Sequence, residues 1–521
     1  MVAGAGAVGL AVARALRLGL GPVPGRGTSR RGPRDVLVLE ARARPGAGVS
    51  SRSSEVVHAG LYYAPGSLKA RTCVEGARRL WQFCAERGVR ARKLGKLVVA
   101  PGRAARDAPP RAPARASAPP PSAPSGRLEA LAANARLCGA SGLELLTAAR
   151  ARELEPALGR ARGSAGGALL SRDSGIFDSH AFVEALAADV EGQGSSLSFS
   201  SSSSRSPSAP SSSSSPAAAS PPLGGGMIVS RAALVGGDLS RAGADGRLEL
   251  LVRTAAGGGA GGGGPETVRV RADALVVAAG LGTARLLHGD LVEGDAVVPG
   301  LRGWPSPEGL PPRAAFAYAK GNYFALPPSR GPSPFSRLLY PLPDPSGAGL
   351  GIHATLDLSG RTRFGPDVEW LGERETRELN GEGRSDGERG GGGGGGAGGG
   401  GSEIFGPEPG DVDPSRAALF DAAIRSYWPG LPGAGALRPE YAGVRPKLLP
   451  FSRRGSGGEG GAVGAAAAAA RSPPSSSSDF FVAGARTHGA RGVAVVAGIE
   501  SPGLTASLAL ADEIVAALLE E

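Results

Sequence analysis

Gly4-Ala5-Gly6-Ala7-Val8-Gly9, followed further on by Val36-Leu37-Val38-Leu39-Glu40, decides how this chain folds. The two stretches read as strand, glycine turn, helix, second strand: the βαβ unit that binds a dinucleotide. Gly4 permits a tight turn, Gly6 lets the backbone approach a pyrophosphate, and Gly9 lets the helix sit close to the strand. Phosphates then lie against N–H groups at the positive end of the helix. Glu40 stands where a carboxylate accepts hydrogen bonds from the adenosine ribose. The spacing alone is weak evidence in a chain with 86 glycines. The apolar helical stretch 10–16 and the strand-like run ending in Glu40 supply the context it needs.

Two irregularities accompany the motif. Only Met1, Val2 and Ala3 precede the first glycine, whereas a buried parallel strand runs about five or six residues. Either the first strand is a stump or the natural chain starts upstream, with any targeting segment. The interval from Gly9 to Glu40 is also long. Its excess lies in 19–34, rich in Gly, Pro and Arg, at the edge of the sheet opposite the ligand crevice.

A length of 521 residues implies two or more domains. The tracts 101–125, 195–222, 257–264, 390–401 and 455–478 are dominated by Ser, Pro, Gly or Ala and carry too little apolar surface to offset the entropy of ordering. They read as surface insertions interrupting one fold. What remains, roughly 400 residues, suffices for two packed units.

The net charge of +11 comes from 58 basic residues, of which only Lys69, Lys93, Lys96, Lys320 and Lys447 are lysines. The arginines are scattered and no aromatic-basic patch accompanies them, so a nucleic-acid partner is not expected. Cys73, Cys84 and Cys138 have no metal-site spacing, so no metal is expected. Cys73, Ala77, Leu80 and Cys84 instead stripe one face of a helix. No apolar run reaches the length of about 18 residues needed for a membrane span.

The tail after Glu40 favours FAD over NAD: 41–52 runs Ala-Arg-Ala-Arg-Pro-Gly-Ala-Gly-Val-Ser-Ser-Arg, and such a Gly and Ser segment, with Ser50, Ser51 and Arg52, continues beneath a flavin. The sequence goes on Ser53-Ser54-Glu55-Val56-Val57-His58-Ala59-Gly60-Leu61-Tyr62-Tyr63-Ala64-Pro65-Gly66-Ser67-Leu68-Lys69-Ala70. This stretch resembles the FAD-dependent L-2-hydroxyglutarate dehydrogenases and oxidases, D-amino-acid-oxidase-like flavoproteins with a similar S-R-N-S-x-V-I-H-A-G-I-Y-Y-P-P-G-S-L-K-A segment; Ser53 departs from the Asn of that pattern. Further similar segments follow in order: Gly95-Lys96-Leu97-Val98-Val99-Ala100, Ser174-Gly175-Ile176-Phe177-Asp178-Ser179-His180, and Ala319-Lys320-Gly321-Asn322-Tyr323-Phe324. Then come Phe364-Gly365-Pro366-Asp367-Val368-Glu369-Trp370, Tyr441-Ala442-Gly443-Val444-Arg445-Pro446-Lys447, and Gly498-Ile499-Glu500-Ser501-Pro502-Gly503-Leu504-Thr505.

Residues 274–279, ending in Gly280, read as a third buried strand returning to the nucleotide crevice. Residues 338–342 and 350–358 read as antiparallel strands of a second domain, and 417–428 as a helix closing it. A strand at 493–497, a turn at 498–503 and a terminal helix striped by Leu504, Leu508, Ala511, Val515 and Leu518 bring the chain back to its first domain. The expected fold is α/β, a Rossmann-like FAD-binding domain interleaved with a smaller α+β substrate domain on a mixed or antiparallel sheet. FAD-binding parts are assigned to 1–100, 171–295 and 441–521, and substrate-domain parts to 101–170 and 296–440. The resemblance further implies that the helix after Gly498, through Gly503, Leu504 and Thr505, points its N-terminus at the flavin pyrimidine.

Flavin oxidation of a 2-hydroxy acid needs its C2 hydrogen near flavin N5, a base for the hydroxyl proton, and cations for the carboxylates. His58 and His353 are the candidate bases, His58 in the segment under the flavin and His353 on an expected strand of the second domain. Each competes with the reading of a histidine satisfied by backbone hydrogen bonds. His180 reads equally as a packed residue at a helix start, His288 as a solvated surface residue, and His488 as a loop residue. Arg445 is the candidate carboxylate clamp, against an interdomain salt bridge. Lys447, Lys69, Lys320, Tyr340, Tyr62 and Arg337 are weaker substrate-binding candidates. The implied reaction is oxidation of L-2-hydroxyglutarate, a 2-hydroxy dicarboxylate, to 2-oxoglutarate by hydride transfer to FAD. Electrons would pass to a quinone or an electron-transfer flavoprotein, and the implied location is mitochondrial. The alternatives are a sister flavoenzyme acting on glycerol 3-phosphate or an amino acid, a truncated non-catalytic product, and, less favoured, an NAD dehydrogenase.

Overall fold

A computed structural model describes residues 1–20, 32–100, 124–159, 167–192, 224–240, 247–255, 266–289, 291–293, 296–298, 300–327, 331–343, 351–380, 411–433, 435–451 and 479–520. The low-complexity tracts lie outside these residues, except that 124–125 fall in the helix Pro124–Leu137.

The glycine turn sits at the centre of a six-stranded sheet. Its order is Phe481–Ala483, Val493–Ala497, Leu275–Val277, Val2–Ala3, Val36–Glu40, Gly226–Ser230. All pairs are parallel except the first. The opening strand has two residues, and Val2 lies opposite both Val38 and Val276. Parallel strands are buried on both faces, which is why these segments are runs of Val, Leu and Ala without alternation. Helices Ala7–Arg17, Leu68–Arg87, Ser179–Glu191 and Gly503–Leu518 cover one face, packing Leu10, Leu80, Leu186 and Leu510 into one core. Each such side chain contributes roughly 1.5–3 kcal/mol by leaving water. Gly76 lets the helices Leu68–Arg87 and Gly503–Leu518 approach closely, since a Cβ there would lie 2.4 Å from the carbonyl oxygen of Thr505. Cys73, Ala77, Leu80 and Cys84 are buried together on the inner face of Leu68–Arg87. The other face carries a four-stranded sheet, Glu266–Ala272, Leu248–Thr254, Ala232–Asp238 and Leu301–Arg302.

The second unit is a nine-stranded mixed sheet. Its central ribbon is Phe316–Ala325 paired antiparallel along nearly its whole length with Arg438–Leu448. Leu338–Pro341 pairs antiparallel with Ala354–Leu356 and parallel with Lys96–Val99. Residues 96–99 and 441–448, assigned above to the nucleotide unit, therefore take their strand hydrogen bonds from this second sheet. Two expected elements are shorter than the pattern suggested. The helix expected over 417–428 ends at Arg425, and Trp428 turns inward onto Phe335 and Phe364. The strand expected over 350–358 is Ala354–Leu356, with His353 just before it and Leu350 outside the described residues. The two sheets meet where Gly443 lies on Arg52; a Cβ at Gly443 would come within 2.8 Å of the Arg52 carbonyl oxygen.

Candidate active site

One cavity of about 1740 Å³ runs from the glycine turn to the ribbon of the second sheet. At its first end the backbone does most of the shaping. Gly4 has φ +108°, and a Cβ there would stand 2.4 Å from the Ala278 carbonyl oxygen. A Cβ at Gly9 would stand 1.9 Å from the Gly4 carbonyl oxygen, so the helix approaches the strand only because residue 9 has no side chain. The Ala7 N–H donates to Ser50 Oγ at 3.0 Å, tying the helix start to the segment after Glu40. Glu40 accepts from the N–H groups of Ala5 and Arg42 at 3.0 and 2.8 Å. Burial raises its pKa against those two bonds. Arg52 and Gly280 complete this end of the lining.

Midway, the turn 498–503 and the start of Gly503–Leu518 face the cavity through Gly498, Gly503, Leu504 and Thr505. Thr505 Oγ1 accepts from the His58 N–H at 3.2 Å and donates to the Val56 carbonyl, also at 3.2 Å. The His58 ring lies with Nε2 3.3 Å from Ser501 Oγ. The first and last thirds of the chain are thereby locked together at one point.

The far end is built from side chains. His353 stacks on Tyr340 with ring centroids 3.7 Å apart, and among the described residues its Nδ1 has no hydrogen-bond partner. Arg445 crosses Gly321, where a Cβ would meet the guanidinium at 3.1 Å, and donates to the Tyr323 hydroxyl at 3.1 Å. No carboxylate among the described residues pairs with Arg445. Beside it, Glu500 bridges Lys69, at 3.0 Å, and Lys447. Burial depresses the pKa of both His58 and His353 well below 6.5, reinforced by the positive charges of Lys96 and Arg445. Both rings are therefore neutral at physiological pH. Burial also lowers the Lys447 pKa, opposed by Glu500.

The cavity thus gathers His58, His353, Arg445, Gly4, Gly6, Gly9, Glu40, Ser50, Arg52, Gly280, Gly498, Gly503, Leu504, Thr505, Lys69, Tyr340 and Lys447. Three expected members, Ser51, Lys320 and Arg337, lie elsewhere. Ser51 turns away, its hydroxyl donating to the carbonyls of Ala47 and Gly48 at 3.2 and 3.0 Å. Lys320 is on the face of its strand opposite Gly321 and Tyr323, and reaches the Asp411 carbonyl at 3.0 Å; the two-residue period of a strand separates them. Arg337 is held by Leu154 and Glu155, off the cavity.

Of the remaining histidines, His180 is over half exposed on its helix. His288 is half-buried, not solvated: its Nε2 lies 3.0 Å from the Pro311 carbonyl oxygen and its ring meets Phe316 edge-on. His488 is fully buried against Trp304. Among the described residues, Glu55, Asp178 and His180 bring three metal-capable atoms close together. Both carboxylates are already engaged, by Ser179 and Arg363 and by Ala181 and Arg90. Sequence reasoning passed over Glu500, Tyr323 and Lys96. The last was detectable as a lone charge in the apolar run 97–100.

The family described as FAD dependent oxidoreductase matches residues 1–202 and 238–517. A mitochondrial L-2-hydroxyglutarate dehydrogenase of Arabidopsis thaliana is 33% identical over 523 aligned positions, covering 99% of this chain and 82% of that protein. An L-2-hydroxyglutarate dehydrogenase of Escherichia coli K12 is 24% identical over 342 positions, 65% of this chain and 59% of that one. Among solved structures, an L-α-glycerophosphate oxidase from Mycoplasma pneumoniae with FAD bound superposes with TM-score 0.60 at 15% identity, covering 99% of this chain and 93% of that one. A glycine oxidase from Geobacillus kaustophilus gives TM-score 0.54 at 14% identity, covering 100% and 94%. These last two establish likeness of fold.

Fold and cavity together define a flavin-dependent oxidoreductase, and the glycine cradle fits the diphosphate of its cofactor, FAD. The chain belongs to the FAD-dependent oxidoreductases and, within them, to the family of the L-2-hydroxyglutarate dehydrogenases.

Proposed function

We propose that the chain oxidises L-2-hydroxyglutarate to 2-oxoglutarate. The observation that carries this reading is the far end of the cavity, where two neutral imidazoles stand beside an arginine with no carboxylate partner among the described residues. FAD supplies the acceptor for the hydrogen leaving C2 with its electron pair. His353 takes the hydroxyl proton, for which a neutral, buried imidazole is suited; His58, tied to Thr505 and lying beside Ser501, orders the cofactor side. Arg445 clamps the C1 carboxylate, its planar fork matched to two oxygens and steadied by the Tyr323 hydroxyl. Lys69 and Lys447 receive the distal carboxylate, with Glu500 setting their spacing. Tyr340 holds the plane of His353. The acceptor that takes the electrons onward is a quinone or an electron-transfer flavoprotein, and the site of action is the mitochondrion; the names of the plant and animal relatives support the latter.

The test compares kcat/KM for L-2-hydroxyglutarate, glycerol 3-phosphate and glycine with an artificial electron acceptor. Preference for the first supports the reading. Preference for either of the others transfers the chain to a sister activity.

A further inference from the structure

Lys96 begins the strand Lys96–Val99, in register with Leu338 of the strand that carries Tyr340. It is fully buried, and among the described residues its Nζ has no hydrogen-bond or ion-pair partner. Aromatic faces surround it instead. Nζ lies 4.0 Å from the centroid of Tyr340 and 5.7 Å from that of Tyr62. These two rings are parallel within 7°, and Tyr340 stacks in turn on His353, again within 7°. Ammonium, phenols and imidazole therefore form one packed group, with Lys96 behind the cavity wall that Tyr62, Tyr340 and His353 line.

The titratable groups facing this cluster are His58, Cys73 on helix Leu68–Arg87, Tyr62, Tyr63, Tyr323, Tyr340 and Arg445. No carboxylate is among them. Burial pushes the Cys73 thiol up to about 12 and holds the Tyr62 and Tyr340 hydroxyls well above their ordinary value. An ammonium with no anion beside it is a cost to the fold. Burial brings Lys96 down to about 7 and holds both histidines well below 6.5, and the positive charge of Lys96 adds to the lowering of each imidazole.

We propose that Lys96 is a positioning residue: its ammonium, held against Tyr340 and Tyr62, adds to burial in keeping the imidazoles of His353 and His58 unprotonated, so that His353 is ready to accept the hydroxyl proton. The proposal rests on the reading of His353 as the base.

The experiment follows the imidazole signals of the holoenzyme by NMR with labelled histidine, without substrate. Five histidines keep the spectrum assignable. In the parent protein the His353 and His58 signals stay in the neutral form from pH 8 down to pH 5.5, with a small step near pH 7 as Lys96 titrates. In Lys96→Met both pKa values rise by about one unit or more, because a neighbouring like charge is gone. The acid limb of kcat/KM moves up with them, while Tm rises because a buried charge has been replaced by an apolar chain of similar length. Lys96→Arg retains the parent limb. Unchanged histidine titration in Lys96→Met, or a lowered Tm with an unmoved pH profile, overturns the proposal. If Lys96→Met does not fold, the step near pH 7 in the parent protein decides: its presence at both histidines supports the proposal and its absence contradicts it. Substrate preference is measured separately, so failure of the proposed reaction is distinguishable from failure of this inference.

Discussion

The two ends of the cavity are made of different material. Around Gly4, Gly6 and Gly9 the cavity surface is backbone, shaped by the absence of side chains at positions close together in sequence. Around His353 and Arg445 it is side chains, delivered by strands that pair across long separations: Lys96–Val99 beside Leu338–Pro341, and Phe316–Ala325 beside Arg438–Leu448. A backbone cradle tolerates no added atom and little local change. A side-chain site tolerates replacement of its members while the fold persists, and loses chemistry instead.

The largest expected effect separates the ends most sharply. Gly9→Val places carbon where Gly4 presents its carbonyl, 1.9 Å away. The helix must then leave the strand at a cost of about 3 kcal/mol or more. The expected product is colourless and has a lowered Tm; absorbance after gel filtration checks it. A yellow, stable Gly9→Val protein would break the contrast.

At the other end, Arg445→Met and His353→Gln leave the protein yellow. Loss of the proposed clamp is expected to lower kcat/KM about 100-fold, by the range for removing one partner of a charged pair. Loss of the proposed base is expected to lower kcat about 10²–10⁴-fold. Steady-state kinetics alongside flavin content per chain separate these losses from misfolding. Loss of flavin in either variant would show that the two ends are not independent.

Acidity acts on the far end next. His58 and His353 are held below 6.5 when folded. As pH falls through 6.5 the unfolded chain takes up protons that the folded chain refuses. Stability is therefore full above about 6.5 and is lost as pH falls toward the folded values. Tm at pH 5.5 is expected below Tm at pH 7.5, with a smaller gap in the doubly substituted His58→Asn, His353→Asn protein. An equal gap would mean that other groups carry the loss.

The smallest effect falls outside the cavity. Lys320→Met removes a bond to the Asp411 carbonyl on the far face of its strand. It changes stability by no more than about 0.5 kcal/mol and leaves KM unaltered; a raised KM would return Lys320 to the substrate.

This contrast also explains what the sequence revealed. The nucleotide end was legible because its signal is local: glycines at fixed spacing, an apolar helix, and an acid at a strand end. The terminal helix Gly503–Leu518 was legible from its stripe. Ser51 and Lys320 sit inside matching segments, yet their side chains point away, because a tight turn and a two-residue strand period decide direction one residue at a time. Glu500 and Lys96 act through partners far from them in sequence, Lys69 with Lys447 and Tyr340 with His353, and no local pattern announces such pairings. Trp428 leaves its helix early because Phe335 and Phe364 give it a better place in the core.

If one cavity holds both FAD and a hydroxy dicarboxylate in reacting position, a single anaerobic turnover with L-2-hydroxyglutarate bleaches the visible flavin band and yields one 2-oxoglutarate per flavin. A band that persists with L-2-hydroxyglutarate but bleaches with glycerol 3-phosphate or an amino acid would contradict it.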